Sequence, residues 1–265
     1  MVGMDHFYLI VSYVLVGIVG LCVGSFLNVV IYRVPEGMSL AKPNSHCPKC
    51  KYELKWYDNI PVLSYVLLGG KCRNCKAHIS FRYTAVELSN MLLWLGCAFL
   101  FWKQSIPLAC MDMLVLSVFI CVFFIDLEHQ LIFDRFQLIL LALGIASIFF
   151  DKSCAWYSHL IGGFAGFGVF YLVAFLFEKI TGKEGLGGGD IKLAGVAGLL
   201  LGWERLLLSL LVATIPAAIV MLIKKRGSEG EDKAFPFAPF LVVGFTVALL
   251  FGTQIIGWYL SLLGL

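Results

Sequence analysis

Asp and Glu together number only 17 of 265 residues, and two aspartates sit where long apolar runs end or begin. Asp126 lies in Phe123-Phe124-Ile125-Asp126-Leu127-Glu128-His129-Gln130-Leu131-Ile132-Phe133-Asp134, which closes one run. Asp190 lies in Gly185-Leu186-Gly187-Gly188-Gly189-Asp190-Ile191-Lys192, which opens another. If the fold brings Asp126 and Asp190 together, both cannot ionise cheaply: one holds a proton near neutral pH while the other acts as a base. Such a pair can activate water against a peptide carbonyl. Which aspartate holds the proton is a property of the coupled pair.

Each acid also has a reading without chemistry. Asp190 after glycines fits a helix N-cap stabilised by the helix dipole. Asp126, Glu128, His129 and Asp134 fit a polar loop leaving a membrane, and on chemistry alone Glu128 and Asp134 claim no more than that. The glycines before Asp190 allow positive φ and the close approach of an extended substrate backbone. They do not make a phosphate loop, because the G-x-x-x-x-G-K-[ST] pattern is missing and the preceding segment is an apolar helix instead of a strand.

A second constellation is Cys47-Pro-Lys-Cys50 and Cys72-Arg-Asn-Cys75, two C-x-x-C pairs with 21 residues between them. That separation sits just past the usual zinc-ribbon window, and four thiolates suit a closed tetrahedral structural site. Lys49, Lys71, Arg73 and Lys76 favour the thiolate form and offset its charge. Zinc is the expected metal; a single iron fits the same ligands, and two disulfides are the bland alternative. With four cysteines filling the site, His46 and His78 are expected to face solvent. Cys22, Cys97, Cys110, Cys121 and Cys154 stand alone and are assigned no role.

The elements that must position these groups are membrane helices. The chain is 60% hydrophobic and 14% charged, with a mean hydropathy of +0.90, which leaves too few polar residues to cover a soluble domain of this length. The apolar residues come in about eight segments, roughly 6–32, 84–102, 106–125, 135–150, 155–177, 190–201, 204–223 and 237–262. Only Gly202-Trp203-Glu204 separates the sixth from the seventh, so one bent hairpin is an alternative there. The first run lacks a basic start and a small-residue cleavage site, and reads as a retained helix. No internal repeat is apparent. The expected class is all-α: a polytopic membrane protein with about eight transmembrane helices and a small metal-stapled loop. The division is 1–32 for the first helix, 33–83 for the four-cysteine loop and 84–265 for the core bearing the acids.

Charge sets the expected orientation. The loop from Arg33 to Arg82 holds nine basic residues, and alternating crossings put Arg135, Lys179, Lys183, Lys192, Lys224, Lys225, Arg226 and Lys233 on the same side. Only Lys103, Lys152 and Arg205 fall opposite, so the positive-inside rule makes the loop cytoplasmic and puts both termini outside. Two crossings separate Asp126 from Asp190, which returns both to the cytoplasmic face. A cytoplasmic loop argues against disulfides, and at about fifty residues it is too small to rely on a hydrophobic core.

Taken together these motifs resemble the prepilin leader peptidases, the GxGD-type aspartic proteases of type IV pilus, type II secretion and competence systems. The resemblance runs through Gly24-Ser-Phe-Leu-Asn-Val-Val-Ile-Tyr-Arg33, the two cysteine pairs, Ile79-Ser-Phe-Arg-Tyr83 with Val86-Glu-Leu88, Ile125-Asp126 with Asp134, Gly187-Gly-Gly-Asp190-Ile-Lys192, and Pro236-Phe-Ala-Pro-Phe-Leu241. It implies that Asp126 and Asp190 are the catalytic pair and that the basic leader of prepilin or pseudopilin precursors is cut at the cytoplasmic face of the bacterial inner membrane. It also implies N-methylation of the new N-terminus with S-adenosylmethionine, with a protease-only enzyme as the alternative. The chain departs from the pattern at Phe133 and Thr84, where the family usually has Pro, and at Ala238, where it usually has Gly; none of these removes a catalytic group. No dinucleotide-type fingerprint marks a methyl-donor site. Asn28 and Glu87 are candidates for it, with helix packing the preferred reading.

Other classes fit less well. A presenilin-like protease would need Tyr before the first aspartate, where this chain has Ile125, and carries no four-cysteine loop. A metal-responsive transporter would hold its acids nearer the middle of helices. Beyond precursors and the lipid bilayer no partner is expected, and no nucleic acid.

Overall fold

The computed structural model describes residues 2–102, 104–182, 185–227 and 236–264. Among them there is no strand, and the order is α1 (Val2–Arg33), a 3-10 turn (Trp56–Asn59), α2 (Leu63–Leu67), α3 (Arg82–Phe101), α4 (Ile106–His129), α5 (Asp134–Phe150), α6 (Trp156–Thr181), α7 (Gly188–Leu201), α8 (Trp203–Gly227) and α9 (Ala238–Leu262). Every one of the eight expected apolar segments is a helix. Six of them, α1, α3, α4, α6, α8 and α9, carry stretches long and apolar enough to cross a membrane. The other two, α5 with 17 residues and α7 with 14, fall short of that length. The chain is a multi-pass membrane protein. Of the basic residues used to orient it, Lys103, Lys183 and Lys233 lie outside the described residues.

The helices form two compact units, Met1–Gln104 and Ser105–Leu265. In the first, α1 packs along α3. The crossing is made possible by Gly20 and Gly24, a small-xxx-small pair that lets two backbones approach. A Cβ on Gly24 would come within 2.7 Å of the Glu87 Cα, and one on Gly20 within 3.1 Å of the Met91 Cα. Asn90, fully buried, donates from Nδ2 to the Gly20 carbonyl at 2.7 Å. With no water in the membrane interior, such a bond fixes the register of the two helices.

In the second unit the short α7 is the hub, packed against α5, α6, α8 and α9. Its contact with α6 is again backbone on backbone. A Cβ on Gly162 would overlap the Gly198 carbonyl, and one on Gly166 the Ala194 carbonyl. Gly202, at φ +77, ends α7, and α8 begins at the next residue, so the sixth and seventh segments are two helices joined with almost no loop. At 1.5 Å per residue α7 is about 21 Å long, well short of the roughly 30 Å of a bilayer's hydrocarbon core. Both ends of α7 therefore cannot reach the two membrane faces, and one of those ends carries Asp190. Large apolar side chains point outward along α6, including Phe164, Phe167, Tyr171 and Phe175, as expected for a helix facing lipid.

Candidate functional site

Asp126 occupies the last turn of α4, with only 6% of its surface exposed. Gln130 in the left-handed conformation (φ +54) ends that helix, and its N–H closes on the Asp126 carbonyl at 2.9 Å. The Asp126 carboxyl accepts a hydrogen bond from the backbone N–H of Ala238, where α9 begins. Its Oδ2 is buried without a partner. The Pro236-Phe-Ala-Pro239 segment thus aims a main-chain donor at the first aspartate, a role that a side chain at 238 does not enter.

Asp190 is not the N-cap of α7. Gly187 is the cap, and Asp190 stands three residues in, accepting a hydrogen bond from the Gly187 N–H. This is the backward-reaching half of a capping box, and it leaves Asp190 Oδ1 buried and unpartnered. Asp126 is the charged neighbour that acts on Asp190. The structure therefore brings the two sequence candidates together, each with one satisfied and one unsatisfied oxygen. An orphaned carboxyl oxygen inside a protein costs free energy unless something else meets it.

The glycine run works differently from the sequence expectation. No residue from Gly187 to Gly189 has positive φ. Gly188 and Gly189 are helical, and what they provide is room. A Cβ on Gly189 would lie 3.0 Å from the Ile132 Cβ, whereas nothing lies within 4 Å of one on the exposed Gly188. Gln137, a 5% exposed residue of α5, donates from Nε2 to the Gly189 carbonyl at 3.0 Å, and its Oε1 is unpartnered. Sequence reading passed over Gln137; a glutamine inside an apolar run was the signal available. Glu128 and Asp134 are exposed, and Asp134 pairs with Lys192 at 2.7 Å. That exposed pair contributes little energy but ties the start of α5 to the second turn of α7.

In the first unit the four cysteines converge. All four sulfurs lie within 4.8 Å of one another, with Cys47 and Cys75 Sγ at 3.8 Å and Cys50 and Cys72 Sγ at 3.9 Å. These separations are far too long for disulfide bonds. They match the edge of a sulfur tetrahedron around a metal with bonds of about 2.3 Å, roughly 3.8 Å. The two pairs are copies of one turn, 25 residues apart. Cys47 and Cys72 each accept, through their carbonyls, the N–H of a left-handed lysine, Lys51 and Lys76. Antiparallel bridges His46–Glu53 and Lys71–His78 close the two turns. The sequence carries only a short trace of this local repeat, Cys-x-x-Cys-Lys at 47–51 and at 72–76, and the residues around it differ. The Tyr52 N–H holds Cys50 down at about 6, while Cys75, against the pull of the Ala77 N–H, is pushed up to about 11 by partial loss of hydration and its sulfur neighbours. His78 is exposed and His46 partly so, neither entering the cluster.

Beside this cluster the first unit encloses a cavity of about 560 Å³, reached by α1, α3 and the four-cysteine loop. Asn28, Thr84 and Glu87 line it, all under 9% exposed. Asn28 donates to the Tyr83 carbonyl at 2.9 Å, so the packing role expected of it is real, but its Oδ1 has no partner, and neither has Thr84 Oγ1.

Asp151, Cys154 and His159 form a third polar group. It is held by Arg205, whose Nη2 donates to Asp151 Oδ2 at 2.5 Å and lies 3.7 Å from Cys154 Sγ. Arg205 is thus a buried ion-pair partner. With a guanidinium already among these ligand atoms, the group is a structural ion pair.

The comparisons agree with this geometry. Residues 18–101 match the bacterial peptidase A24 N-terminal domain and residues 113–222 match the type IV leader peptidase family. Among curated relatives, the prepilin leader peptidase/N-methyltransferase of Pseudomonas aeruginosa is 36% identical over 93% of each chain. Those of Stutzerimonas stutzeri, over 92% of each chain, and Aeromonas salmonicida, over 93%, are each 35% identical. No solved structure matches the chain. At this identity and coverage, with both domain models matched in order, the chain belongs to the type IV leader peptidase family.

Proposed function

We propose that this chain is an aspartic endopeptidase that removes the basic leader from type IV prepilin-like precursors and then N-methylates the new N-terminal residue. The observation that carries the reading is the pairing of Asp126 and Asp190, each with a buried carboxyl oxygen that no group among the described residues meets. In the proposed mechanism the pair shares one proton. The ionised carboxylate takes a proton from water as its oxygen adds to the scissile carbonyl carbon, and the protonated partner gives its proton to the carbonyl oxygen. Collapse of the tetrahedral species expels the amine, which receives a proton from the pair. The Ala238 and Gly187 N–H groups hold one oxygen of each carboxyl still. The open face at Gly188 leaves room for an extended substrate strand.

The same reading makes the membrane the bacterial inner membrane, with the four-cysteine loop and both aspartates cytoplasmic and both termini outside. The clustering of basic residues in the loop supports this sidedness. Zinc is the proposed occupant of Cys47, Cys50, Cys72 and Cys75, where it staples residues 33–83 between the first helix, 1–32, and the proposed peptidase core, 84–265. The sulfur–sulfur distances support it. When bound, S-adenosylmethionine supplies a methyl group on a sulfonium sulfur and leaves as the neutral thioether once that methyl has passed to an amine that has given up its proton.

The test is cleavage of a membrane-inserted prepilin by purified wild type, Asp126→Asn and Asp190→Asn. Wild type should cut and both variants should fall by at least about a thousandfold while remaining folded. Wild-type activity in either variant would remove that aspartate from the mechanism.

A further inference from the structure

The geometry points to the cavity of the first unit as the binding site for S-adenosylmethionine, with Asn28, Thr84, Glu87 and Arg33 as its polar contacts. This inference rests on the proposal that the chain is also a methyltransferase, and it names where the donor binds.

Two side chains present unmet hydrogen-bonding atoms: Asn28 Oδ1 and Thr84 Oγ1 are buried, partnerless and on residues 5% and 4% exposed. A buried oxygen of this kind is costly in an empty fold and is met by a ligand or by water. They sit one helix apart, Asn28 on α1 and Thr84 on α3. Asn28 Oδ1 can accept from an amino group such as that of adenine, and Thr84 can donate to a ring nitrogen or accept from a ribose hydroxyl.

Charge is distributed to suit a ligand that carries both signs. Arg33 borders the cavity at 6% exposure, and among the described residues its guanidinium is bonded to the carbonyls of Ser39, Leu40 and Pro43. It therefore brings a positive charge without a carboxylate, which suits the amino-acid carboxylate of the donor. Glu87 supplies the opposite sign for a sulfonium or ammonium. Asp58, the other acid on the wall, is already paired with Arg73 at 2.7 Å.

The Glu87 carboxylate is held in place at the expense of the backbone. Its Oε2 accepts the Val62 N–H at 2.7 Å, and Val62 has φ +61 and ψ −49. Together with the Leu63 N–H to Pro61 carbonyl contact at 2.5 Å, this is a γ-turn of the strained hand centred on a β-branched residue. Such strain persists where the surroundings over-determine it and gathers at binding sites. About 560 Å³ lies within the range of small-molecule pockets and well above what a water cluster needs.

The experiment uses the full chain in detergent and reads binding directly, by calorimetry with S-adenosylhomocysteine and by ultraviolet cross-linking of labelled S-adenosylmethionine followed by peptide mapping. Wild type should bind one equivalent and cross-link within residues 25–33 or 80–87. Thr84→Val and Asn28→Leu, both near-isosteric and each lacking the unmet oxygen, should each weaken binding about tenfold while prepilin cleavage stays at the wild-type rate, which certifies their fold. Asp126→Asn should bind as wild type does. Label mapping elsewhere, or unchanged affinity in both cavity variants, overturns the site while leaving the methyltransferase reading intact. If wild type neither binds the thioether nor methylates cleaved prepilin, the reading beneath the site has failed, and the site with it.

Discussion

The Gln137 side-chain amide donates to the carbonyl of Gly189, the residue immediately before Asp190. α5 thereby holds the first turn of α7, and with it the second aspartate, from outside the motif that contains it. Gln137 does not reach the carboxyls in this arrangement; it positions the helix that carries one of them. Gln137→Leu should lower the cleavage rate about 10–100-fold through kcat, with KM for prepilin little changed, since small misplacements of a reacting group are costly. Gln137→Glu, whose carboxylate cannot donate to the Gly189 carbonyl, should behave like the leucine variant. Equal losses in KM, or a drop in thermal stability that accounts for the activity, would make Gln137 a packing residue only.

Gly189 should be intolerant for a steric reason. A Cβ there would sit 3.0 Å from the Ile132 Cβ, tighter than packed side chains accept, so Gly189→Val should push α7 away from the α4–α5 connection and abolish cleavage. Gly189→Ala combined with Ile132→Ala removes the clash from the other side. Cleavage assays on the single and double variants should find the double one more active than Gly189→Ala. If the second substitution only adds to the damage, the glycine is needed for backbone freedom or substrate access instead.

The sequence made the acids legible because a carboxylate at the end of an apolar run has few reasons to be there, and even crossing numbers let Asp126 and Asp190 meet. The cysteines were legible because two C-x-x-C pairs in one loop supply the four thiolates of a closed tetrahedral site. What escaped was carried by groups without a spacing signature. The Ala238 N–H is a main-chain donor, and any residue but proline supplies it. Gln137 acts through a backbone carbonyl 52 positions away. Gly20, Gly24, Gly162 and Gly198 read as ordinary membrane glycines until the close approach of two backbones gives each a reason. The length of α7 was visible, but that a 14-residue helix could be the hub of its unit was not, because that depends on four neighbours distant in sequence.

Metal removal should act on the first unit. The loop has no strand ladder and little core, so the metal's binding energy is folding energy there. Purified protein should carry one zinc per chain by elemental analysis. Cys47→Ser or chelation should open residues 33–83 to limited proteolysis, while the helices of residues 105–265 keep their protection. A loop equally resistant with and without metal would show that the tetrahedral arrangement is held by backbone bonds alone.

The Asp151–Arg205 pair predicts an acid limit to stability that is separate from chemistry. Burial alone would raise the Asp151 carboxyl, but Arg205, with the Ser153 hydroxyl and N–H, outweighs burial and holds it below the ordinary carboxylate range. A carboxyl depressed in the folded state contributes stability that is fully present above its unfolded value, about 4, and is lost as pH falls through the lower folded value. Wild type should therefore be insensitive to pH at this site from neutrality down to about 4 and lose stability below it. Asp151→Asn takes the ion-pair partner from buried Arg205, leaving Asp112 as the other carboxyl that acts on it, and should cost up to about 3–5 kcal/mol at pH 7, with the gap to wild type narrowing below pH 4. Asp151→Asn with Arg205→Met removes both charges and should recover most of that loss, because an apolar pair of similar volume is often no worse than a buried ion pair. Unfolding in detergent followed by tryptophan fluorescence across pH 3–7 distinguishes these cases. A constant gap at all pH values would mean that Asp151 contributes through its hydrogen bonds to Ser153 and not through its charge.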